Sequence, residues 1–149
     1  MSHKALIVVA ILLIIGIAVG AYTIGTKKSL APTETKIVEP PIIYSYIRVN
    51  TPLPHTAIKS PLNISGQAVG SWYFEASAPV TLKNASGIVI ASGHVTAQGD
   101  WMTTNFVPFT ASLTFPPQPA NSVGTLLLKN DNPSGDPTKD KTLVIPVTF

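Results

Sequence analysis

The chain opens on an apolar block and then changes period. Residues 5–22 read ALIVVAILLIIGIAVGAY without a charged side chain. As a helix this run spans about 27 Å, close to the thickness of a bilayer's hydrocarbon core. It has no polar face, which argues against a helix packed on a soluble core. It is also longer than the apolar stretch of an ordinary cleaved signal peptide. That reading stays open all the same, with Lys4 before the block and Ala18, Gly20 and Ala21 offering a cleavage point. The pattern predicts a short tail at 1–4, a transmembrane anchor at 5–24 and a linker at 25–43. The linker carries Gly25, Pro32, Pro40 and Pro41 and has no apolar periodicity.

From residue 44 onward the period is two. Ile47 and Val49 share one face of IIYSYIRVN, and in LNISGQAV the residues Leu62, Ile64 and Ala68 alternate with Asn63 and Ser65. SWYFEASAPVTLKN places Trp72 and Phe74 together, followed by Val80 and Leu82, which leaves Tyr73 facing outward. GIVIASGHVTAQ reads as two arms separated by Ser92 and Gly93. FTASLTF turns Phe109, Ala111, Leu113 and Phe115 inward, LLLKN is short, and TLVIPVTF aligns Leu143, Ile145, Val147 and Phe149. These runs predict about seven strands at 44–149 and no helical segment. The expected fold is an all-β, immunoglobulin-like antiparallel sandwich, with a small five- or six-stranded barrel as the alternative. The 14 Pro and 10 Gly supply the turns such a fold needs.

Charge narrows the choice of partner. The formal net charge is +3, but its excess lies at Lys4, Lys27, Lys28 and Lys36, beside the apolar block, where cations suit lipid headgroups. From residue 44 on, six basic residues face five acidic ones. No basic stripe with interleaved aromatics is present, so nucleic acid is not an expected partner. The lysines on both flanks of the block divide the evidence on orientation. A count of positive charge puts the domain in the cytoplasm, whereas the very short leading tail favours an exported one, which is the orientation expected here.

The search for chemistry returns little. With no cysteine, disulfides, thiolate metal sites and a cysteine nucleophile are excluded. His3, His55 and His94 are isolated, and the spacings of metalloprotease, nucleotide-binding and nucleophile-elbow motifs are missing. In NDNPSGDPTKDK, Asp131, Asp136 and Asp140 are oxygen ligands of the type calcium takes, but a solvated hairpin loop explains the same composition. Among the aromatics, Tyr73 and Trp101 are the candidate binding residues, Trp101 being open to a core role as well. Asn63 and Asn84 begin N-glycosylation sequons, at a frequency chance accounts for. No cofactor is expected.

The run of residues from Ile47 to Phe149 resembles the immunoglobulin-like domain of bacterial spore germination, of Gmad type. The resemblance rests on Ile47, Val49 and Pro52; on Ser60, Pro61, Leu62, Ile64, Gly66 and Ala68; and on Phe74, Glu75, Val80, Leu82, Asn84 and Gly87. It continues through Trp101, Pro108, Phe109, Leu113, Phe115, Gly124 and Leu126, the NPSG stretch from Asn132 to Gly135, and Pro146 to Phe149. It implies an exported, surface-associated β-sandwich without catalytic residues.

The resulting expectation is a non-catalytic module of the cell envelope, single-pass at the cell membrane with its C-terminal domain outside. Its partners would be the lipid bilayer, through residues 5–24, and a cell-envelope polymer or envelope protein. Two alternatives stay open: a structural accessory subunit assembling through its transmembrane helix, and an envelope hydrolase relying on His55 or His94.

Overall fold

A computed structural model describes residues 42–149, and the anchor and most of the linker expected from the sequence lie outside them. Among the described residues no helix is long and apolar enough to cross a membrane. Eight strands form one antiparallel sheet: β1 (Ile42–Ile43), β2 (Ile47–Thr51), β3 (Leu62–Val69), β4 (Ser77–Asn84), β5 (Val89–Ala97), β6 (Phe106–Leu113), β7 (Val123–Lys129) and β8 (Thr142–Thr148). Their order across the sheet is β1-β2-β3-β6-β5-β4-β7-β8.

The sheet bends where it is thinnest. β3 and β6 pair along eight residues, whereas β5 and β6 pair only at Thr96 with Thr110 and Ala97 with Phe109. Beyond that short ladder the strands part. One leaf, β1-β2-β3-β6, then folds over the other, β5-β4-β7-β8, around a single apolar core. Alternate residues fill it: Ile47 and Val49 from β2, Ile64 from β3, Val80 and Leu82 from β4, Phe109 from β6, Leu126 and Leu128 from β7, and Ile145 from β8 are each at most 1% exposed. Period-two patterning explains this, because successive side chains of a strand point to opposite faces.

The open edge of β8 is covered from the other leaf. The connection after β2 crosses over and bridges Ala57 to Thr148, with hydrogen bonds from His55 N to Pro146 O (2.7 Å) and from Ile58 N to Thr148 O (2.8 Å). Pro146 fits this edge. Its carbonyl faces the crossing segment, so its nitrogen, which has no hydrogen to donate, faces the same way and costs β7 nothing. The curled sheet thus approaches a barrel without closing as one.

Three expectations are corrected. β5 is continuous through Ser92 and Gly93 rather than two arms. Ala111 is half-buried rather than a core residue. Phe74 is exposed and Tyr73 buried, the reverse of the strand reading, because the chain makes a single 3-10 turn at Gly70–Trp72 and loses its strand parity there.

Candidate functional site

The end of the sandwich where β2 and β4 begin gathers three segments: residues 70–76, the β5–β6 loop and the long β7–β8 loop. Gly70 sets the first against the second. A Cβ on Gly70 would collide with the backbone of Trp101 and Thr103, so only glycine lets the loop cross there. Trp72 follows, 1% exposed, its indole stacked at 5.4 Å on Tyr46, which in turn stacks at 5.7 Å on the exposed Tyr44. Lys141 Nζ lies 4.9 Å from the centre of the Tyr46 ring, within cation–π reach.

Tyr73 donates its hydroxyl to the Val107 carbonyl at 2.8 Å. Burial pushes this phenol's pKa well above its ordinary value, and the Ala68 backbone N–H offsets the shift only in part. Tyr73 therefore pins the end of the domain from inside and is not an outward contact. The chain then reverses over Glu75 and Ala76, both at positive φ (49° and 60°), with Phe74 and Ser77 exchanging two 3.0 Å backbone hydrogen bonds. This tight turn holds the Phe74 ring in solvent.

Opposite it stands the β7–β8 loop, whose own side chains shape it. Asn130 is the one buried polar residue of the described chain. Its Oδ1 accepts from Lys141 N at 2.6 Å and its Nδ2 donates to Lys139 O at 3.2 Å, closing the loop's neck. Asn132 Nδ2 donates to Asp136 O (2.8 Å) and to Asp140 Oδ1 (2.9 Å). Asp136 caps the 3-10 turn Pro137–Lys139 through Thr138 N. Asp140 pairs with Lys129 at 2.8 Å, and this contact, with that to Asn132, holds its carboxyl below the usual range. Of the three aspartates considered as calcium ligands, Asp136 and Asp140 thus have separate tasks within the loop. Among the described residues no three His, Cys, Asp or Glu side chains converge. The loop is tied to the first segment by Asp131 N donating to Trp72 O at 3.0 Å.

Between the two segments runs an open groove of about 520 Å³, floored by Tyr73 and Asn130 and walled by Phe74, Asn132, Lys139 and Lys141. Of the two candidate aromatics, Tyr73 reaches it from below and Trp101 does not; Trp101 is half-buried and packs against the core. Phe74, Lys141 and the Tyr44–Tyr46 stack were not singled out by residue type alone. Asn130, opening a Pro- and Gly-rich loop after an apolar strand, carried a usable sign of a buried turn-former. His55 and His94 lie on separate elements, the crossing segment and β5. A second hollow, about 530 Å³ and lined in part by Leu53, Thr56, Lys59 and Asn63, lies at the opposite end.

Residues 46–136 match the family described as the immunoglobulin-like domain of bacterial spore germination, Gmad2. The chain belongs to this family. Its Gmad2 match begins at the stacked Tyr46 and ends at Asp136 inside the long loop, so Tyr73, Phe74, Asn130 and Asn132 of the groove fall within it, while Lys139, Lys141 and β8 lie beyond. No curated protein and no solved structure matches the chain.

Proposed function

We propose that this protein is a non-catalytic module of the cell envelope, held at the membrane by residues 5–24 and displaying its Gmad2 domain to bind an envelope polymer. The groove between Phe74 and the β7–β8 loop carries this reading. It combines an exposed aromatic face, amide and carboxylate hydrogen-bonding groups and two lysines on a floor fixed by Tyr73 and Asn130. Rigid, shallow and amphipathic, such a surface suits an extended polar chain. The apolar block at 5–22 and the surface-associated character implied by the family support the location.

The test is co-sedimentation of the full chain, in detergent, with isolated peptidoglycan sacculi. The wild type is expected to pellet with them, and Phe74→Ser and Lys139→Ala to lower the bound fraction severalfold. Undiminished binding by both variants, or none by the wild type, would sink the groove reading. Protease treatment of intact cells checks the location: a C-terminal tag is expected to be cleaved, and a protected tag would count against an exported domain.

A further inference from the structure

The ladder between β5 and β6 stops early and leaves a free edge behind it. Ala97 N donates to Ala76 O (2.8 Å) and Gln98 N to Pro108 O (2.7 Å). Along Ala91–Ala97 the odd-numbered residues of β5 therefore turn their main chain toward β4 and the even-numbered ones toward β6. Continued past Thr96 and Thr110, that register would set His94 against Ser112 and Ser92 against Thr114. Neither rung forms, because the strands have parted. The main-chain N–H and C=O groups of Ser92, His94 and Ser112 have no backbone partner among the described residues, and all three residues are exposed.

Both outer margins of the sheet are guarded, and this seam is not. β1 is two residues long and follows Pro40 and Pro41 in the sequence, and β8 has the crossing segment and Pro146. From Ile88 to Val95 and from Thr110 to Phe115 there is no proline and no Lys, Arg, Asp or Glu, the residues that keep an edge from pairing. The side chains suit an incoming strand as well. Ala91, Gly93 and Ala111 are small and half-buried, and at the open end Ile88 and Val89 are 61% and 52% exposed. The seam narrows at Gly93, where Leu113 Cδ2 lies 3.0 Å from the place of a Cβ, and closes at Thr96. A guest must enter from the Val89 end.

From these observations we infer that the free edge of β5 takes an extended, uncharged segment of another protein as a further strand, the strand-addition mode of peptide recognition. Main-chain bonds at Ser92 and His94 set the register, and apolar residues at alternate positions of the guest cover Ala91 and Gly93. A second copy does not fit here. Paired antiparallel over Val89–Val95, its own Asn84–Ile88 turn would meet Thr96 and Ala97, which β6 already holds. This chain's leading segment joins the sheet at β1, with β2, β3 and β6 between it and β5. None of the seam residues lines the groove, so the two sites stand or fail separately.

The probe is a fluorescent peptide of alternating valine and threonine, about eight residues long to match the free edge, titrated against the full chain in detergent micelles. Saturable binding is expected, with amide exchange at Ser92 and His94 slowed about tenfold. The same peptide methylated on every amide nitrogen keeps its side chains and should not bind. Ser92→Pro removes an N–H that faces the seam and costs β4 no bond, so it should weaken binding about tenfold, whereas Ser92→Thr should not. Absence of binding by the wild type would overturn the proposal, as would equal binding of the methylated peptide, an unchanged affinity in Ser92→Pro, or protection confined to the β1 or β8 edge. Light scattering tests the other occupant: a wild-type mass of two copies that falls to one in Ser92→Pro would assign the edge to a second copy and overturn it too. Thermal melts establish that each variant is folded, and the methylated peptide needs no variant, so the test survives if Ser92→Pro does not fold.

Discussion

Tyr73 shows how one side chain can be displaced from a surface role by its neighbours. In an alternating strand it would point away from Trp72 and Phe74, but after the Gly70–Trp72 turn its ring enters the core and its hydroxyl reaches Val107 O. Replacing it with Phe leaves that carbonyl without its side-chain donor and is expected to cost about 1 kcal/mol in denaturant titrations. The same burial carries a pH signature. With its pKa raised by desolvation, the folded phenol keeps its proton where the unfolded one has lost it. Tyr73's contribution is therefore complete below about pH 10 and declines as pH rises beyond it. Stability measured near pH 8 and near pH 11 should differ less in Tyr73→Phe than in the wild type; an equal difference would show that another group controls the alkaline limit. Gly70 makes a sharper case. Gly70→Ala drives a methyl into the backbone of Trp101 and Thr103, so a loss of about 3 kcal/mol is expected. A loss below about 1 kcal/mol would mean that the loop yields easily.

At the scale of elements, strands with strict alternation were readable in advance and local irregularities were not. β3 was expected as LNISGQAV and forms over those eight residues, because Leu62, Ile64 and Ala68 have only one burying register. β8 follows the same logic. The 3-10 turn at residues 70–72 escaped because three residues have no period to detect. β5 appeared broken because Ser-Gly usually signals a turn. In the fold, Gly93 stands where the Leu113 side chain of β6 occupies the space, a Cβ there falling 3.0 Å from Leu113 Cδ2. That constraint comes from twenty residues away. The hairpin at Glu75 and Ala76 was hidden for another reason: both adopt left-handed φ, which two-residue hairpins normally assign to Asn-Gly. Neither residue suits the conformation, so Glu75→Asn combined with Ala76→Gly is expected to raise stability by about 1 kcal/mol, with the greater unfolded-state freedom of Gly limiting the gain. A lower denaturation midpoint would show that the turn gains more from the Glu75 side chain than its backbone loses.

For the whole molecule, the apolar pattern specifies how much each strand buries but not which strand lies beside which. The fold class was legible from alternation and turn density. The β6–β5 junction and the crossing segment that bridges Ala57 to Thr148 were not, since both join residues distant in the chain. Those two features decide how the domain melts. The leaves share little hydrogen bonding at Thr96–Ala97, yet one core cluster takes residues from both, and the crossing segment ties the β2–β3 connection to β8. Each leaf buries its inner face only against the other. Damage to β8 should therefore be felt in β2 and β3 as much as in β7. Ile145→Ala, at a fully buried position, is expected to lower stability by roughly 3 kcal/mol. In a Trp101→Phe background, its far-ultraviolet dichroism should still fall in step with the fluorescence of Trp72, which stacks on Tyr46 just before β2. One transition seen by both probes is the signature of a shared core. If Trp72 kept its native signal after the β-sheet signal had dropped, the leaves would be separable units, and the curled sheet would be two stable halves joined at a seam.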